Sequence, residues 1–164
     1  MQLLNYFFAS VISFLGLLAG ILLIIIAPEE QKPLHKYFVL LRKILLLLIF
    51  IFALFFYFGY WLNFAAIAAC FFILTFIGYK TNDLIKKTAI NYAAFGILFF
   101  LSSANANLLA IESGLIFLYG MASASILYNK KRKNHFKIFL YGLNYAIIAN
   151  ILFFLRLPFL ISYS

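Results

Sequence analysis

Glu112 and Arg156 stand apart from every other charge in the sequence, in or at the end of apolar stretches away from the basic clusters. Ionisable groups in such places are where function concentrates when a chain spans a bilayer, because their desolvation must be compensated. Counted from the basic stretch that separates them, Glu112 lies sixteen residues before Tyr128 and Arg156 eighteen after Ile138. Those separations are rises of about 24 and 27 Å at helical pitch. The two charges therefore fall at similar heights, and consecutive antiparallel helices that pack side by side would let them meet. One reading is a structural ion pair. The other makes Glu112 and Arg156, with Ser102, Ser103, Asn105 and Asn107, the lining of an outward-facing polar vestibule.

Other chemistry-bearing residue types do not converge. Glu29, Glu30 and His35 are metal-ligand types without a recognised spacing, since structural zinc needs four convergent ligands and catalytic zinc three with water. No metal and no cofactor is expected. His135 sits among lysines, which would repel a cation. Cys70, the single cysteine, can form no intrachain disulfide and reads as a small buried hydrophobe. There is no glycine loop of the phosphate-cradling kind, no HExxH and no activated serine or cysteine, so the chain is not expected to be an enzyme. Asn91, Asn144 and Asn150 lie inside apolar stretches, where hydrogen bonds between helices account for them.

Composition explains what must hold these groups. The chain of 164 residues is 67% hydrophobic, 21% aromatic and 10% charged, far from the balance of a water-soluble domain and consistent with a lipid surround. A net charge of +9 could suggest nucleic acid. The basic residues, however, flank apolar stretches instead of forming one patch, so no nucleic-acid partner is expected. Twelve of the thirteen fall in three clusters: Lys32, Lys36, Arg42, Lys43; Lys80, Lys86, Lys87; and Lys130, Lys131, Arg132, Lys133, Lys137. Basic loops stay on the cytoplasmic side and attract anionic lipid headgroups.

An all-α, polytopic integral membrane protein follows, with six transmembrane helices arranged as hairpins in one domain over residues 1–164. The spans are expected at about 3–27, 37–58, 62–79, 88–103, 108–128 and 138–155. The charge-free stretch from Ile44 to Tyr79 would be about 54 Å long as one helix, against a hydrocarbon core of about 30 Å. It must turn back, and Gly59 to Asn63 is the best place. Ser102 to Asn107 divides the next stretch in the same way, with Asn105 or Asn107 as the N-cap of the following helix. Arg42 and Lys43 are expected to snorkel towards headgroups. Both termini would lie outside. The location read from composition and charge is a prokaryotic plasma membrane.

Small residues mark close helix contacts. Ala9, Ser13, Gly16, Gly20 and Ala27 share one face of the first span, leaving Leu17 and Leu22 to lipid. Gly142, Ala146 and Ala149 share a face of the sixth span with Arg156, and Gly120 to Ser125 is uniformly small. Residues 91–101 also echo 144–155, as a parallel repeat would. The function expected first is a non-enzymatic membrane subunit or scaffold, its partners lipid and a second membrane protein or another copy of the chain. A small transporter or channel component is the alternative.

Overall fold

The structure, a computed structural model, describes residues 3–128 and 135–155. Six α-helices follow in order: α1 (Leu3–Ile26), α2 (Gln31–Phe56), α3 (Trp61–Lys80), α4 (Leu84–Ser102), α5 (Ala106–Leu127) and α6 (His135–Leu155). A short 3₁₀ turn, Pro28–Glu30, joins the first two. The described residues contain no strand. All six helices are long and apolar enough to cross a membrane.

Local chemistry sets the breaks. Asp83 precedes α4 with extended backbone, and its carboxylate accepts from the Ile85 N–H at 2.9 Å. Asn105 does the same for α5, accepting from Asn107 at 2.9 Å and Leu108 at 3.2 Å. Each cap satisfies N–H groups that the first helical turn leaves unpaired. The α2–α3 turn contains Gly59, and the Tyr57 hydroxyl beside it donates to the Leu101 carbonyl, tying this turn to the end of α4. The 3₁₀ turn draws α2 back to Gln31, six residues before the start expected at Tyr37.

The bundle runs up and down. One end holds the turns after α2 and α4. The other holds the basic residues at the starts of α2 and α4, with Gln31 donating to the Ser125 and Tyr128 carbonyls at 3.0 and 2.8 Å. Packing does not follow chain order. Helix α1 packs mainly on α5, and α6 packs on α4 and α1 rather than on α5. The expectation that the last two helices form a packed hairpin therefore does not hold. Helix α3 is peripheral, with only Asn63, Ile67 and Leu74 buried.

The α1–α5 crossing is parallel and very close. A Cβ on Gly16 would lie 2.0 Å from the Phe117 carbonyl oxygen, and one on Gly20 would lie 2.4 Å from that of Met121. On the opposing helix, a Cβ on Gly120 would meet the Leu17 nitrogen at 2.8 Å. Backbone thus lies against backbone, which only glycine permits. Leu17, expected to face lipid, is instead 1% exposed, with its side chain against Gly142. The reason is that α1 is wedged between α5 and α6, so its buried arc is wider than its small-residue stripe. Leu22 does face outward.

Candidate polar site within the bundle

Helix α5 carries the polar core. Glu112, Ile116, Tyr119 and Ser123 are buried on one face, at steps of four, three and four that bring side chains into line. Glu112 is fully buried, and neither of its carboxyl oxygens has a hydrogen-bond partner among the described residues. It lies six residues into α5, about 9 Å below the turn end. The parallel register with α1 brings it near the level of Ser10 and Ser13, which are also fully buried.

Those serines are already committed. Ser13 donates to the Ala9 carbonyl at 2.7 Å, and Ser10 to that of Phe7 at 2.8 Å. Asn150 donates to the Ser10 hydroxyl at 3.2 Å and to the Ala146 carbonyl at 2.7 Å. Tyr6 reaches across to the Ala149 carbonyl at 2.9 Å. Among the described residues the hydroxyls of Tyr92 and Ser123, like the Glu112 carboxyl, are buried without a hydrogen-bond partner. An unsatisfied buried polar atom typically costs about 1–3 kcal/mol, so such a concentration requires a reason.

Seven residues beyond Glu112, about 10 Å towards the basic end, Tyr119 organises a second polar group. Arg42 donates through Nε to the Tyr119 hydroxyl at 3.1 Å, and Asn91 donates to the same oxygen at 2.6 Å. The guanidinium carbon is 5.7 Å from the Tyr119 ring centroid, within cation–π range. Arg42 is only 7% exposed, so the snorkelling expected of it is overturned: Tyr119 and Asn91 hold it inside the bundle. Lys43 points outward.

Aromatic rings separate the two groups. Tyr92 lies 5.8 Å from Tyr119 and 6.2 Å from Tyr145, ring centre to ring centre. Phe99 bridges Tyr145 and Tyr6 at 5.5 and 5.1 Å. Tyr92 and Tyr145 occupy equivalent places in the two echoing segments of α4 and α6, and these helices are neighbours.

The residues of the expected vestibule are dispersed. Ser102 is buried and donates to the Leu98 carbonyl at 2.9 Å. Ser103 is half-buried, and Asn105 and Asn107 are exposed in the turn. None of them meets the Glu112 carboxyl. Arg156 lies outside the described residues. Of the packing residues, Ser13, Gly142 and Ala149 are buried, while Ala9 and Ala146 are half-buried. Asn144 is exposed.

No family model matches this sequence, and no curated protein or solved structure matches it significantly.

Proposed function

We propose that the chain is a multi-pass membrane protein that passes a small cation, with Glu112 exchanging a proton for it. The observation that supports this reading is a fully buried carboxyl whose two oxygens have no hydrogen-bond partner among the described residues. A lone carboxylate is strongly unfavourable in apolar surroundings. The group rests there as the neutral acid and becomes anionic only when a cation takes the place of its proton. Proton relays and ion pathways in membranes are built from such acids. The Tyr92 hydroxyl, beside Gly120 and towards the basic end from Glu112, is an oxygen ligand available to an ion on that side.

The test is flux in reconstituted vesicles, read as a change in internal pH under an imposed gradient of a monovalent cation. Wild-type protein should couple the two, and Glu112→Gln should abolish the coupling while melting no lower than wild type. Coupling that survives in Glu112→Gln would exclude the reading.

A scaffold role draws on α3, whose outward face exposes Trp61, Phe72, Phe76 and Tyr79. Crosslinking from that face to a second membrane protein or a second copy would favour it.

A further inference from the structure

Arg42 is a buried cation that no Asp or Glu side chain among the described residues neutralises. The sequence has four Asp and Glu residues in all. Glu29 and Glu30 are exposed in the 3₁₀ turn, Asp83 caps α4, and Glu112 is buried without a hydrogen-bond partner among the described residues. None of the four lies in an ion pair with Arg42. The Tyr119 ring stabilises the guanidinium without supplying a negative charge, and the acceptor at Nε is a neutral hydroxyl.

The arrangement is nevertheless ordered. Tyr119 fixes one edge of the planar guanidinium, and Asn91 in turn fixes the Tyr119 hydroxyl. The two terminal nitrogens take no acceptor among the described residues and are not fully enclosed. They form the fork that matches the oxygens of a phosphate or similar oxyanion, which lysine cannot match. The position fits an entry from the basic end. Asn91 is four residues from Lys87 along α4, about 6 Å, so Arg42 lies about one helical turn beneath the level of Lys86 and Lys87.

We infer that Arg42, held by Tyr119 and Asn91, binds a phosphate group entering from the basic end of the bundle. The phosphate belongs either to an anionic lipid headgroup or to a soluble ion, and both present the same oxygens. This site involves neither Glu112 nor its proton, and it stands if the cation reading fails.

The experiment compares purified wild-type protein with Arg42→Gln and Arg42→Lys. Melting is followed in detergent with sodium phosphate or with sodium chloride at equal ionic strength. It is also followed in nanodiscs of phosphatidylcholine alone or with added phosphatidylglycerol. Wild-type protein should be stabilised in a saturable way by phosphate, by phosphatidylglycerol, or by both. Stabilisation by phosphate alone assigns a soluble ion, and stabilisation by the lipid alone assigns a headgroup. Arg42→Lys should need at least tenfold more of the same anion, because it keeps the charge and loses the fork. Arg42→Gln should show no saturable shift. The inference is overturned if neither anion stabilises wild type, or if Arg42→Lys responds like wild type. The lysine comparison decides the matter even where the glutamine variant does not fold.

Discussion

Replacing Gly16 with alanine adds one methyl group at the tightest point of the bundle. The new Cβ would lie 2.0 Å from the Phe117 carbonyl oxygen and 2.7 Å from its carbonyl carbon and Cα. Ordinary contact begins near 3.4 Å, so α1 and α5 must separate locally by about 1.4 Å, and even a gap of 0.5–1 Å forfeits a quarter to a half of each dispersion contact. The obstacle is backbone, which cannot turn aside as a side-chain tip can. Overpacking of this kind typically costs about 1–3 kcal/mol, and we expect Gly16→Ala at or above the upper end. Gly114 supplies the internal control, because it lies in the same helix pair with nothing within 4 Å of its Cβ position. Gly114→Ala should be neutral or stabilising by up to about 1 kcal/mol, since alanine is the better helix former. Reversible unfolding in mixed detergent micelles, followed by helical circular dichroism, measures both. Equal stabilities for Gly16→Ala and Gly114→Ala would refute the α1–α5 crossing.

Three further outcomes follow from particular contacts. Gly142→Ala meets side chains and no backbone, Leu17 Cδ1 at 2.1 Å and Phe14 Cε2 at 3.2 Å. It should therefore cost less than Gly16→Ala, and chemical denaturation should show the combination with Leu17→Ala to be less damaging than the sum of the two single changes. Leu17→Ala itself should destabilise by about 2–5 kcal/mol, whereas Leu22→Ala, facing outward, should fall within about 0.5 kcal/mol of wild type by the same assay. Tyr119→Phe removes the acceptor shared by Arg42 and Asn91 and should cost about 2–4 kcal/mol by leaving both donors without it. Thermal melting should show that loss shrinking in an Arg42→Met background, where one of the stranded donors is gone.

The helices were legible because the apolar runs are long and are broken only by charges or by turn residues. Ser102 to Asn107 could be read as a boundary from its polarity, and Asn105 as a cap from the geometry that asparagine favours. Which helices touch was not legible. Gly16 and Gly20 announce a close approach without naming the partner, and chain adjacency pointed to an α5–α6 hairpin where the structure has α1 against α5. Leu17 was missed for the same reason, since a second neighbour was needed to bury it. Arg42 carried a signal that could have been used: it shares a helical face with Leu45, Ile49 and Ala53, at steps of three, four and four, and all four are buried. Tyr92, Tyr119 and Tyr145 gave none, because among 11 tyrosines and 22 phenylalanines nothing in their spacing separates a core hydroxyl from an interfacial one.

The central claim is that Glu112 rests as a neutral acid and gives up its proton to a cation. Infrared difference spectroscopy of membrane-reconstituted protein observes this directly, because only a protonated carboxyl shows the acid C=O stretch. At neutral pH the spectrum of wild-type protein minus that of Glu112→Gln should contain this band. Addition of a monovalent cation that supports flux should bleach it while a carboxylate band grows. Absence of the acid band, with a carboxylate band already present before any cation is added, would contradict the account and identify Glu112 as one half of a permanent ion pair.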